Sequence, residues 1–416
     1  MSEHPWRMAL GGMTALAAGM GVGRFVYTPI LPIMAEALHL TSAEAGLVAS
    51  ANFLGYLAGA LLAASTLLRG SRRFYLISGL AANALTLAAM GLTVDFAVHL
   101  LLRFAGGLAS AFVLVFASAL VLERLAASGR DRLSAVHFAG VGIGIAVSAV
   151  AVAALAAAGS SWQGLWLASG VLGLIGLAGV AWLMPKDVAP RMYGGTDKAA
   201  PASFALRAII AAYGLFGFGY VITATFVVAM VRSAPDVSAL EPYVWALLGL
   251  SAVPSVALWM AIGSRFGVLP AFAAACAVEA AGVASSVLWV STPGILLAVI
   301  SLGGTFVGIT ALGLIAAGRL SAGDPRPNIA LMTASFGAGQ VVGPVFAGFL
   351  FDRLGSFAAP SLAAACALIL AAALAGLAAA NSKAQADSPA PTVARFSRPA
   401  KSAERDRRPR HPSARR

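Results

Sequence analysis

Charge is what this chain has least of. Charged residues fill 11% of its 416 positions while hydrophobic residues fill 60%, against roughly 25% charged in an average soluble domain. The deficit excludes water as the main solvent of the fold. Cysteine is nearly missing too. Cys276 and Cys366 each sit in an apolar run, where they read as small buried hydrophobes, so neither a disulfide framework nor a thiolate metal site is supported. The Gly-x-x-x-x-Gly-Lys-Ser/Thr loop does not occur, which removes direct drive by ATP. A His-Glu-x-x-His pair is absent, and no nucleophile elbow beside a Ser, His and Asp grouping stands out. An enzyme is therefore not expected, and no cofactor or metal is implied. The opening MSEHPWRMAL lacks a short apolar core followed by a small-residue cleavage site, so the first apolar run is expected to be retained.

What the chain does have is long apolar runs. They lie near residues 8–36, 43–68, 74–94, 96–122, 133–157 and 162–184, then 204–231, 242–262, 268–290, 293–318, 327–351 and 357–380. A helix of about 20 residues crosses roughly 30 Å of hydrocarbon, and each run is of that order. Barrel strands would alternate over about ten residues, and the stretch 140–158 shows no alternation. The expectation is an all-α integral membrane fold with 12 transmembrane helices in two six-helix halves. The halves are residues 1–184 and 204–380, joined by a linker at 185–203 and followed by a basic tail at 381–416.

Lys and Arg positions test this map, because cytoplasmic loops carry the positive excess. Even-numbered connections hold Arg69, Arg72 and Arg73, then Arg124, Arg130 and Arg132, then Lys186, Arg191, Lys198 and Arg207, then Arg265, then Arg319 and Arg326. Odd-numbered connections hold only Arg232 and Arg353. Both termini are therefore expected in the cytoplasm of a bacterium, with the chain in its inner membrane. The formal charge of +12 does not point to nucleic acid, because most of it sits in the tail, where ten Lys or Arg face Asp387, Glu404 and Asp406. With five prolines and few large apolar residues, that tail reads as a disordered extension attracted to anionic lipid heads.

The halves carry matching features. Gly21 and Gly23 match Gly217 and Gly219 at an offset of 196, Gly140 and Gly142 match Gly337 and Gly339 at 197, and Arg73-Phe74 matches Arg265-Phe266 at 192. Duplicated units are common in transporters.

Three stretches go further: GMGVGRFVYTPILPIM at residues 19–34, Arg103-Phe104-Ala105-Gly106-Gly107-Leu108-Ala109 in the fourth span, and Gly339-Gln340-Val341-Val342-Gly343-Pro344 in the eleventh. Over residues 7–380 the chain resembles the major facilitator superfamily, and within it the bacterial YbfB/YjiJ-type subgroup. The resemblance implies a secondary transporter whose central cavity, lined by spans one, four, seven and ten, opens alternately to each side as the halves rock. It departs from the superfamily in three places. The loops after spans two and eight lack the usual Asp, and Gly140-Val141-Gly142-Ile143-Gly144-Ile145-Ala146 lacks the Gly-Pro pair of antiporters, so efflux is not favoured over uptake. The stretch Gly348-Phe349-Leu350-Phe351-Asp352-Arg353-Leu354-Gly355 does fit the loop motif, but charge counting places it outside.

An ionised group kept inside a span is costly and marks a functional candidate. Arg24, about two thirds through the first span, is a candidate for holding a substrate carboxylate, the alternative being a structural cap on a broken helix. Arg103 suits either the same anionic solute or proton coupling and packing. Glu279, midway along span nine, is a candidate proton carrier or a structural carboxyl. His137 completes the coupling and gating set. The polar residues Asn52, Tyr56, Tyr220, Thr223, Thr225, Thr305, Thr310 and Gln340 offer uncharged contacts. Of these Tyr220, Thr225 and Gln340, then Asn52 and Thr305, are assigned with Arg24 to substrate binding. A small-molecule substrate, protons and the lipid bilayer are the expected partners of a monomer. The alternative from another class is a non-transporting sensor with the same fold.

Overall fold

The computed structural model describes residues 5–184 apart from 66 and 69, and residues 203–321 and 326–387. Arg69, the linker except Ser203 and the tail beyond Asp387 lie outside the described residues. The chain is helical throughout the described part. The first span, α1, is Pro5–Leu38. It is followed by α2 Ser42–Ala64, α3 Arg72–Met90, α4 Phe96–Ala127, α5 Ser134–Ala157 and α6 Trp162–Leu183. The second half contains α7 Phe204–Arg232, α8 as the pair Glu241–Ala252 and Ser255–Phe266, α9 Val268–Leu288, α10 Thr292–Leu320, α11 Arg326–Leu354 and α12 Ala358–Asp387. Eleven of these are single helices long and apolar enough to span, and the α8 pair, bent by 41°, supplies the twelfth.

The breaks follow local chemistry. Pro254 lies at the bend of α8, where its ring displaces the preceding turn and its missing N–H costs a hydrogen bond. Helix starts are capped by side chains from their own sequence: Asp95 accepts from the Val98 N–H at 2.9 Å, and Ser203 from Leu206 at 3.2 Å. Thr41 and Glu44 form a reciprocal capping box at the start of α2, satisfying two of the orphan groups that every helix start leaves. A belt of exposed Leu, Val and Ile, including Leu85, Leu101, Val147, Ile175, Leu250 and Ile300, faces outward, the inverse of a soluble surface and fit for lipid.

The two halves use glycine in the same way. Gly140 and Gly144 of α5 sit against the carbonyls of Met13 and Ala17 on α1, and Gly339 and Gly343 of α11 sit against those of Gly214 and Phe218 on α7. A side chain at any of the four would strike the partner's backbone or a packed side chain, so small residues let these helices approach closely. These contacts pair the halves at a slightly different register from the glycine spacing. Met13 corresponds to Gly214 and Gly140 to Gly339, offsets of 201 and 199. Gly142 and Gly337 face the opposite half instead, touching Gly249 and Leu57 respectively.

Among the described residues, the side-chain hydrogen bonds that join the halves lie in the part of the molecule away from the N-terminus. Thr28 donates to the Ala224 carbonyl at 2.8 Å, Ser50 to that of Val341 at 2.7 Å, and Arg232 to Glu36 at 2.6 Å. The Ser42 and Ala43 N–H groups donate to Asp352 at 3.0 and 2.9 Å. The halves are thus closed against each other at that face.

Candidate functional site

The site begins with a defect in α1. The α-helix Pro5–Leu16 passes into a π-helical stretch, Ala17–Val22, and regular helix resumes only at Tyr27. Glycines 19, 21 and 23 allow this by removing side chains where α1 presses on its neighbours: Gly19 meets Val113 of α4, Gly21 the Gly144 backbone of α5, and Gly23 the Asn83 side chain of α3. π-Bulges in helices are often sites of function, because they re-aim a side chain and free backbone groups.

Arg24 sits on the defect. It is only 3% exposed, and its guanidinium lies 4.0 Å from the Tyr56 ring centroid, 4.7 Å from Phe53 and 5.6 Å from Phe25. Aromatic faces stabilise a desolvated cation by about 2 kcal/mol or more, but they do not supply acceptors for its N–H donors. Nε and Nη2 of Arg24 have no hydrogen-bond partner. Among the described residues no carboxylate pairs with Arg24 or with Arg103. Arg103, on α4, lies over the Tyr27 ring at 4.8 Å and the Trp166 ring at 5.9 Å, and its Nη2 donates to the Arg24 carbonyl at 3.4 Å. Asn52 of α2 holds the Arg103 carbonyl at 2.9 Å. Arg24, Arg103 and Asn52 therefore form one cluster in the first half.

The second half answers with rings. Tyr220 on α7 is parallel to Phe306 of α10 and Phe336 of α11, with interplanar angles of 9° and 2° and centroids 5.8 Å away in both cases. Its hydroxyl is hydrogen-bonded to the Gln340 amide, and Phe306 meets Phe25 edge-on at 5.9 Å. This ring contact joins the halves next to Arg24. The cluster draws on α1, α4, α7 and α10, with α2 and α11 beside them.

The other candidates lie elsewhere. Thr225 donates to Val221 of its own helix at 2.7 Å, and the neighbouring Ala224 carbonyl makes the contact with Thr28. Thr305 faces α9 and donates to Glu279 at 2.8 Å, so these two form a separate buried pair. His137 contacts Ser118 at 3.0 Å and packs on Gly12, where a Cβ would collide with its ring. Thr310 donates to Phe306 of its own helix at 2.8 Å. Reasoning from sequence missed the ring wall of Phe25, Phe53, Phe306 and Phe336. The signal for Phe25 was its adjacency to Arg24. The others carry none, since a Phe in an apolar span looks like any lipid-facing residue.

A duplicated twelve-helix fold closing around a broken first helix defines a secondary transporter of the major facilitator type. A family profile described as "Uncharacterised MFS-type transporter YbfB" matches residues 16–376, and the chain belongs to that family. It is 32% identical over 94 residues to the uncharacterized MFS-type transporter YceJ of Bacillus subtilis, a stretch covering 23% of this chain and 24% of that relative. The chain thus spans about a quarter of the length of the curated relative it matches. In fold it is similar to a crystal structure of a mutant of the nucleoside transporter NupG, with a TM-score of 0.65, 14% identity and coverage of 91% of this chain and 99% of that one.

Proposed function

We propose that this transporter carries a small organic anion across the bacterial cytoplasmic membrane by alternating access, coupled to the proton gradient. The observation that carries the reading is Arg24: a buried guanidinium with two unpaired donor nitrogens and, among the described residues, no carboxylate paired with it. An unpaired buried charge is expensive, and a bound carboxylate would compensate it with a forked pair of hydrogen bonds. The rings of Phe25, Phe53 and Tyr56 around it, with Phe306 against Phe25 and Tyr220 against Phe306, suit the apolar body of such a molecule. Glu279, buried in α9 with one oxygen on Thr305 and the other unpaired, is the group assigned to carry the proton. The Lys and Arg alternation supports termini in the cytoplasm, with the basic tail at the inner leaflet.

The test is counterflow in proteoliposomes. Vesicles holding the purified protein and a high internal concentration of one of a panel of small carboxylates are diluted into trace labelled carboxylate. Transient accumulation of label is expected for at least one member of the panel, and its loss in Arg24→Ala. Accumulation of neutral or cationic solutes alone would sink the reading. The fold and family favour a carrier over the sensor alternative, which would bind solute without exchanging it.

A further inference from the structure

The start of α2 differs from the other capped starts in one respect. Its own residues satisfy only part of it: Thr41 accepts from the Glu44 N–H at 3.1 Å, and Glu44 accepts from the Thr41 N–H at 2.9 Å. The next donors, the N–H groups of Ser42 and Ala43, go to the two carboxylate oxygens of Asp352 at 3.0 and 2.9 Å. Asp352 belongs to the other half, near the end of α11. We propose that Asp352 is the latch that holds this face of the transporter shut, completing the cap of α2 only while the halves are closed there.

Three observations carry it. First, the contact is charge-assisted and doubled, with a carboxylate at the positive end of a helix 23 residues long, the arrangement in which an anion is most favourable. Second, it ends a seam. Gly348, one turn before Asp352, sits against the Ser42 carbonyl, Gly46 sits against that of Pro344, and Ser50 donates to that of Val341 at 2.7 Å. Positions spaced four apart on α2 thus meet α11 along one line, so Asp352 cannot leave alone without loosening the seam, nor the seam open without uncapping α2. Third, the ion pair at this face, Arg232 to Glu36, joins side chains that are 37% and 73% exposed, and such pairs hold little, which leaves the Thr28 bond to the Ala224 carbonyl as the other buried polar contact there. Alternating access requires the halves to part here, so the shared cap biases the equilibrium toward the state closed at this face. Charge counting places this loop-motif Asp outside, opposite to the side the motif usually occupies, and the latch is the role proposed for it there.

The experiment uses the full chain in lipid with Cys366→Ser, Cys276 being buried, and with Ser50→Cys as reporter in the seam. Modification by a small membrane-impermeant thiol reagent measures how often the face opens. Asp352→Ala is expected to raise the rate roughly tenfold, equal to about 1.4 kcal/mol. Asp352→Asn, which keeps the shape and one acceptor, is expected to raise it roughly threefold. Asp95→Ala removes a cap within one half and is expected to leave the rate at its starting value. An unchanged rate in Asp352→Asn, or an equal rise in Asp95→Ala, overturns the latch. Neither outcome bears on Arg24 or on the charge of the substrate.

Discussion

Arg103 donates from Nη2 to the main-chain carbonyl of Arg24, 3.4 Å away. One arginine therefore holds the backbone of the other. The π-turn of α1 breaks the regular ladder, with Arg24 and Phe25 both donating to the Met20 carbonyl, and carbonyls near such a break need outside donors in a medium without water. Arg103 answers the Arg24 carbonyl, which leaves the Arg24 guanidinium free for a ligand. Under the proposed anion reading, the two cations divide the work of structure and binding.

Arg103→Leu should therefore act on the fold. Loss of one buried donor costs about 1–3 kcal/mol, to be read as a fall in the midpoint of thermal unfolding in detergent. An unchanged midpoint with lost transport would assign Arg103 to substrate instead.

Arg24→Lys keeps the charge but replaces a planar fork with a point charge. Transport of the anion should survive with KM raised roughly tenfold, since only part of a forked pair is lost. Arg24→Ala should abolish it, with the unfolding midpoint retained. Equal KM in the Lys variant and the parent protein would refute a forked contact.

Tyr220→Phe leaves the Gln340 amide without its partner, whereas Thr225→Val removes a hydroxyl bonded within its own helix. The first should raise KM several-fold, by the roughly 1 kcal/mol of one hydrogen bond. The second should change it little. The reverse order would place the binding surface lower on α7.

Glu279→Gln retains the size of the side chain and an oxygen for Thr305. Counterflow, which needs no proton, should persist, while accumulation driven by a pH gradient should vanish. If gradient-driven accumulation survives, Glu279 is a structural carboxyl and the proton travels elsewhere.

Gly144→Val places a branched side chain against the Ala17 carbonyl. Overpacking of this kind costs about 1–3 kcal/mol or more, so the yield of monodisperse protein should fall. Gly376→Ala, with open space around its α-carbon, is the control and should express normally.

Span number and the candidate charges were legible in the sequence because each is a property of a run or of a cost. Hydrocarbon thickness sets helix length, and the expense of a buried charge makes Arg24, Arg103 and Glu279 conspicuous in a chain with so few charges. The π-turn was legible only as three glycines beside Arg24. The pairings were not legible. Asn52 and Thr305 looked like cavity polar groups, yet Asn52 holds Arg103 and Thr305 holds Glu279. Hydroxyls and amides inside a membrane satisfy themselves with whatever carbonyl or carboxyl is near, and sequence does not say which neighbour that is.

The amino-acid sequence by itself determined that the chain lives in lipid as two bundles of six helices, because solvent and span length act on each segment alone. Only the tertiary structure decided that Arg24 is left open among rings from both halves, and that Asp352 caps a helix 310 positions away. Those facts depend on which helix faces meet, and helix contacts in a membrane are selected by small residues and local fit, quantities that no single segment contains.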